Sequence, residues 1–402
     1  MRVVIIGGSF GGLTTAFELR KLLGPHECEI TLISKDQRFV FIPSLPWVAM
    51  GSQSLERISM DLDQPLARKK IRFVRAAVQN IDAQSKQVFT DAGDHTYDYL
   101  VIATGHRSAN EAVPGLGPFD GPGHSLMSPP EAEEAREAVK ELLRKPGPIV
   151  VGCAPGASCI GPAYEFAFEI DHLLRKRAIR HKVPISLVTP EPFLGHFGVG
   201  GVGKARQYLE GELEARDIRY LTSAAVSKIT PTSVELAGGQ TLESRFSLII
   251  PPLGGVKAVA ASAGLANPKG FIATDEYFRH RQFKNIYAVG VAVALPPVEE
   301  LPVPVNFPKT AHMTEQMAAI AARSIAAEAR GSEPKSHDLH VECILDMGDK
   351  AVHMKADPVR PPRNVAKVSA GWHWLIAKRL FERFYLWRAR RGETAALHGW
   401  GW

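Results

Sequence analysis

Cys159 stands in the run Gly156-Ala157-Ser158-Cys159-Ile160-Gly161-Pro162-Ala163-Tyr164-Glu165, and the residues on either side decide what a thiol could do there. Pro148 to Gly152 reads as a short buried strand, and Ala163 to Arg177 as a helix with apolar residues at helical spacing. Strand, glycine turn and helix N-terminus are the parts of a nucleotide cradle, in which backbone N–H groups and the helix dipole hold a pyrophosphate. Here Pro155 stiffens the turn and a cysteine occupies it. The positive end of a helix favours a thiolate, so this placement suits sulfur chemistry better than phosphate binding. Glu165, six residues further along the helix, is within range to accept a proton, and His196 in the glycine-rich stretch Gly195-His196-Phe197-Gly198 is a second candidate. Each has a plainer alternative: a small buried hydrophobe for the cysteine, a helix salt bridge for Glu165, a loop hydrogen bond for His196.

A second glycine loop lies at the start of the chain. Val3 to Ile6 reads as a strand, Gly7-Gly8-Ser9-Phe10-Gly11-Gly12 follows, and Leu13 to Leu23 reads as a helix. This approximates the G-x-G-x-x-G dinucleotide fingerprint, with the small Ser9 where the second glycine lets the backbone approach a pyrophosphate. The next strand, Ile30 to Ile33, ends in Ser34, Lys35 and Asp36, at the distance where a ribose hydroxyl needs an acceptor. Tyr97 to Gly105 reads as a buried strand ending in the small turn Ala103-Thr104-Gly105, and Asn285 to Gly290 as another, ending at Gly290 and Val291. Taken singly, each is a parallel strand and its loop.

These motifs need large cores to hold them, and 402 residues with 45% hydrophobic and 22% charged supply them. The four cysteines, Cys28, Cys153, Cys159 and Cys343, are too few and too scattered for a disulfide framework, and no pair has zinc-ligand spacing. The net charge of +6 comes from basic residues spread along the chain rather than grouped on a nucleic-acid motif, so nucleic acid is not an expected partner. No apolar run reaches the length of a spanning helix. Met1 and Arg2 lead straight into the first strand, so no signal peptide is expected and synthesis in the cytoplasm is.

In order along the chain, the segments Phe39 to Trp47, Gly156 to Glu165, Gly195 to Gly198, Pro296 to Glu299, Pro302 to Pro304, Pro308 to Thr310 and Cys343 to Asp346 carry a resemblance. From Met1 to about Gly392 the sequence resembles the sulfide:quinone oxidoreductases, two-dinucleotide-domain flavoproteins related to the flavoprotein subunit of flavocytochrome c sulfide dehydrogenase. The resemblance implies FAD, held by Gly7, Ser9, Gly11, Gly12, Ser34, Lys35, Asp36, Val78, Ala103, Thr104, Gly105, Gly290, Val291 and Lys309; with Cys28 not placed near the flavin ring, the expected attachment is non-covalent. It implies a disulfide or polysulfide between Cys159 and Cys343, attacked by hydrosulfide, with electrons passing through the flavin to a membrane quinone, either ubiquinone or menaquinone. Lys309 would stabilise the anionic reduced flavin, unless it is only a solvated charge. Cys28 and Cys153 are expected to be core residues.

One position departs from the family. Many members carry a third active-site cysteine where this chain has Met127, and Glu131 stands about where a histidine usually follows. A thioether forms neither a disulfide nor a persulfide, which moves the chain toward the two-cysteine pattern of the flavocytochrome c relatives. At the C-terminus, Trp372, Leu375, Ile376, Leu380, Phe384 and Trp387 alternate with Lys378, Arg379, Arg383, Arg388, Arg390 and Arg391, an amphipathic pattern suited to a membrane surface or, alternatively, to packing on the chain's own core.

The expected architecture is therefore α/β, with two Rossmann-like domains and a C-terminal amphipathic membrane-interface segment. Residues 1–109 and 251–330 would form the FAD domain, 110–250 the second domain with Cys159, 331–370 the segment with Cys343, and 371–402 the anchor of a peripheral membrane protein, with a second copy of the chain among the partners considered. Three other functions fit parts of the sequence, one of them a flavocytochrome c-type sulfide dehydrogenase subunit. A type II NADH:quinone oxidoreductase would use Glu191, after the strand Ile185 to Val188, as its ribose acceptor, although Cys159 interrupts the glycine loop that NADH needs. A non-enzymatic flavin-bearing sulfide or redox sensor would account for the missing third cysteine.

Overall fold

A computed structural model of the chain describes residues 1–117, 119 and 121–394. The elements that position the site are, in order, β1 (Arg2–Ile6), α1 (Phe10–Leu22), β2 (Glu29–Ser34), β3 (Arg72–Arg75), β4 (Tyr99–Ile102), β5 (Ile149–Cys153), α2 (Gly161–Lys176), β6 (Ile185–Val188), β7 (Ile218–Leu221), β8 (Phe246–Ile250), β9 (Ile286–Ala288), α3 (Ala311–Ala329), β10 (Val341–Asp346), β11 (Ala351–Asp357), β12 (Val365–Gly371) and α4 (Trp372–Ala389).

Two parallel sheets carry the fold. The first has the order β9-β4-β1-β2-β3, the second β7-β6-β5-β8. Their central strands, Val3 to Ile6 and Ile149 to Cys153, are buried and almost wholly apolar, as strands covered by helices on both faces must be. In each sheet the strand order reverses beside the first strand, β1 in one and β5 in the other. Ligands bind at such switch points, outside the carboxyl ends of the strands. The loop after β1 is Gly7 to Gly12 and the loop after β5 contains Cys159. A third, antiparallel sheet, β10-β11-β12, brings Cys343 in from the far end of the sequence.

The C-terminal helix α4 is held from one side only. Glu382 accepts from the Ser44 hydroxyl and the Gln53 amide, and Tyr385, 1% exposed, donates to Glu315 of α3 and sits among Phe10, Phe39 and Phe41. On its other side Trp372, Ile376, Leu380 and Trp387 are exposed. One face of the helix thus packs on the chain's own core and the other is left uncovered among the described residues. The part of that segment after residue 394 lies outside the described residues. No helix among the described residues is long and apolar enough to cross a membrane.

Candidate functional site

The glycines of the first loop are there because backbone passes where a side chain would be. A Cβ on Gly12 would lie 1.8 Å from the Gly7 carbonyl oxygen, and one on Gly7, whose φ is +114°, would lie 2.2 Å from that of Ala103. The loop therefore folds tightly against both α1 and the end of β4, leaving the N-terminal turn of α1 facing a cavity of about 1250 Å³. Ser9 caps α1 without using its hydroxyl on the helix. Gly7, Ser9, Gly11, Ser34, Lys35, Asp36, Val78, Ala103, Thr104, Gly105, Gly290, Val291 and Lys309 all line this cavity; Gly12 stands behind it as the packing glycine. A cradle of this form, with small residues at each close approach and exposed ribose-side polar groups, fits FAD. The volume exceeds the roughly 300–1,000 Å³ usual for one small ligand, leaving room for a second.

Cys159 and Cys343 line the same cavity, from α2's N-terminal loop and from β10. They are free thiols, close enough that a thiolate at Cys159 would raise the pKa of Cys343. The expected low-pKa thiolate is not found. Burial, and then the neighbouring Glu165 carboxylate, push Cys159 up to about 11 and Cys343 up to about 12. The helix end, worth about 0.3–2 kcal/mol, is outweighed by taking the sulfur out of water beside a negative charge. Cys28 and Cys153 are buried core residues away from the cavity wall.

Glu165 also lines the cavity. It is ion-paired with Lys378 of α4, a residue 213 positions later, and burial nevertheless raises its pKa to about 7. Behind it stand Glu169, one helical turn on, and Asp346 of β10, which accepts from the Trp47 indole at 2.7 Å. The Lys378 ammonium lies 5.1 Å from the centroid of the Trp47 ring. Sequence reasoning took Lys378 only as one charge among several on the amphipathic helix, and did not single out Asp346, Glu169 or Trp47. Only the tertiary fold brings the four together.

Lys309 projects into the cavity, donating to the Val291 carbonyl at 3.0 Å with its ammonium 4.0 Å from the Phe271 ring centroid. No carboxylate among the described residues reaches it, and burial lowers its pKa to about 8. His106, which sequence reasoning also missed, lines the cavity nearby, its pKa lowered to about 4 by burial and then by Lys309. Met127 lies on the cavity wall, its N–H donating to Glu131.

His196 is not brought into the site. It is 1% exposed, its Nε2 lies 2.9 Å from Glu299, and its Nδ1 accepts from the Gly198 N–H, so the ring ties two loops together. Glu191 is likewise spoken for: its carboxylate accepts from the Tyr164 and Thr189 hydroxyls and from the Phe197 N–H, each at 2.7 Å. No ribose can use it without breaking those bonds. The phosphate end of the second cradle is closed as well. The Gly156 N–H donates to the Pro304 carbonyl, Asn306 donates to the Gly156 and Ala157 carbonyls, and segment 302–308 lies over the loop.

Comparison with known proteins agrees with this geometry. The family model of the pyridine nucleotide-disulphide oxidoreductases matches residues 1–318. The sulfide-quinone reductase of Aquifex aeolicus is 39% identical over 98% of this chain and 92% of its own. The crystal structure of the enzyme from that organism superposes with a TM-score of 0.94, at 38% identity and the same coverage. A type II NADH:quinone oxidoreductase of Staphylococcus aureus is 27% identical over 75% of this chain and 77% of its own. The Plasmodium falciparum NDH2 structure with NADH shares the fold, with a TM-score of 0.74 at 15% identity over 97% of this chain and 96% of its own.

Proposed function

The chain belongs to the pyridine nucleotide-disulphide oxidoreductases and, among them, to the FAD-dependent sulfide-quinone reductases, and from that premise we propose that Cys159 and Cys343 are the sulfur-handling pair. The observation that carries this reading is their convergence: two cysteines 184 residues apart (343 − 159) meet on the wall of one cavity, beside the glycine cradle. The chemistry that a bound FAD would supply there is two-electron transfer from reduced sulfur to quinone.

The side chains divide the rest of the work. With the pair bridged as a disulfide, hydrosulfide attacks one sulfur and the other leaves as a thiolate. That thiolate is a strong base in this buried setting, since both thiols hold their protons to about 11 or 12. Glu165, at about 7, is the group able to take a proton from the incoming sulfur and return one to the leaving sulfur. Lys309, a half-buried ammonium without a carboxylate partner among the described residues, offers charge stabilisation for an anion held against Val291. His196 serves this site at one remove, by fixing the loop Gly195 to Gly203 through Glu299.

Quinone fits the side of the cavity walled by Ala377, Lys378 and Phe381 of α4. The opposite face of that helix presents Trp372, Ile376, Leu380 and Trp387, with Arg391 stacked 3.8 Å from the Trp387 ring centroid, a composition that suits a headgroup boundary. We therefore place α4 on the membrane surface, as the wall through which a lipid-dissolved quinone enters. The strand pairings support the domain division at about residues 109, 250 and 330.

The test is anaerobic stopped-flow absorbance of the FAD-loaded protein. Sulfide is expected to bleach the flavin and a short-chain quinone to restore it, with Cys159→Ser and Cys343→Ser each slowing bleaching at least about a hundredfold. Rates near the parent's in both variants would overturn the assignment of the pair.

A further inference from the structure

Glu169 has no part in the scheme above, yet its carboxyl is buried, with the residue 6% exposed, and neither of its oxygens has a hydrogen-bond partner among the described residues. It sits one turn beyond Glu165 on α2. From β10 it faces Asp346, and from α4 Lys378 and Arg379. Three carboxyls thus crowd one buried ammonium and one exposed guanidinium. Like charges this close inside a protein do not all ionise, and a buried carboxylate without donors is the first to take a proton.

The order of these groups has a direction. Glu165 and Lys378 line the cavity, Glu169 and Asp346 stand behind them, and Arg379, exposed and 6.0 Å from the Trp47 ring centroid, marks the way to solvent. We propose that Glu169 is the proton-holding residue of this cluster: it supplies, through Glu165 and Lys378, the proton that quinone reduction draws from solvent, and is reloaded from the Arg379 side.

The stoichiometry of the reaction requires such a source. Hydrosulfide oxidised to sulfane sulfur gives up two electrons and one proton, whereas quinone reduced to quinol takes two electrons and two protons. One further proton per turnover must enter the protein. Burial and the neighbouring Glu165 and Asp346 charges keep Glu169 protonated well above the usual carboxylate range, so the proton is in place before quinone arrives.

This inference rests on the sulfide-to-quinone reading, and two half-reactions separate the two. In the parent protein, sulfide must bleach the flavin and a short-chain quinone must restore it; failure there removes the reading itself. In Glu169→Gln, which keeps shape and neutrality but cannot release a proton, bleaching by sulfide is expected to stay within about twofold of the parent. Reoxidation by quinone is expected to slow at least about tenfold, the more so as pH rises. Glu169→Asp should recover part of that loss. The oxidised parent should also show an infrared carboxylic-acid C=O band that is absent from Glu169→Gln. Parent-like reoxidation in Glu169→Gln, absence of that band from the parent, or equal slowing of both half-reactions would overturn the inference, the last by making Glu169 merely structural.

Discussion

Glu165 carries the pH dependence that this site should show. Burial raises its pKa to about 7, Lys378 pulls it back and Asp346 pushes it up again. As proton acceptor it works only as the carboxylate, so the rate of flavin bleaching should rise as pH rises through about 7 and fall as the carboxylate is protonated below it. Sulfide itself titrates in this range, and Glu165→Gln separates the two contributions. The variant should bleach about a hundredfold more slowly or worse at neutral pH, and keep only the limb that belongs to sulfide. An unchanged profile at an unchanged rate would remove Glu165 from the mechanism. The variant should still fold, because Glu169 lies beside Lys378 and can surrender its proton to pair with it. Cys159 and Glu165 were legible in the sequence because both stand on one strand–loop–helix unit, where spacing along the chain is spacing in space. Lys378 and Asp346, 213 and 181 positions from Glu165 (378 − 165 and 346 − 165), carry no such local mark. The same blindness produced the expectation of a low-pKa thiolate: a helix N-terminus is visible in a sequence, but the depth of burial that outweighs it is not.

Helix α4 shows why an amphipathic pattern alone leaves two readings open. The sequence pattern gives an apolar face but not the number of surfaces competing for it. In the fold, Tyr385 and Leu386 are buried and Glu382 is tied to Ser44 and Gln53, while Trp372, Ile376, Leu380 and Trp387 remain in the open at helical spacing. The two faces predict different results. Replacing the four exposed residues with Ser should release the protein from anionic lipid vesicles in a flotation assay, at unchanged melting temperature and FAD content. Vesicle binding that survives the quadruple change would show that the helix is not the attachment surface. A chain ending at Ala370 is a poor test of the same idea, because it removes Tyr385 from its place among Phe10, Phe39 and Phe41 and opens the cavity wall at Phe381. Losing one such buried aromatic costs about 3–5 kcal/mol.

At the scale of the whole molecule, two copies of one cradle have taken different roles. The loop after β1 keeps its open helix end; the loop after β5 carries Cys159 between Gly156 and Gly161 and is closed by Pro304 and Asn306, with Glu191 already saturated. NADH should therefore not bleach the flavin. The sequence showed that the second loop was altered, but not that segment 302–308, some 150 residues away, lies over it. The remaining cradle is built by parts that share little else: the loop after β1, the ends of β4 and β9, the Cys159 loop, β10 and α4 all meet on its wall. A ligand held there joins them, and binding to the folded state alone stabilises a protein by about 4 kcal/mol at a thousandfold excess over Kd. For a chain of 402 residues that corresponds to a rise in Tm of roughly 5 °C. The parent stripped of FAD should melt that much lower and recover when FAD is added back. Gly12→Ala should behave as a permanently stripped protein, since its Cβ would lie 1.8 Å from the Gly7 oxygen and backbone cannot yield there as a side chain would. It should purify colourless, melt below the stripped parent because the loop itself is strained, and gain nothing from added FAD. A yellow Gly12→Ala protein with the parent's melting temperature would mean that the loop tolerates the methyl group and that the cradle is looser than its packing indicates.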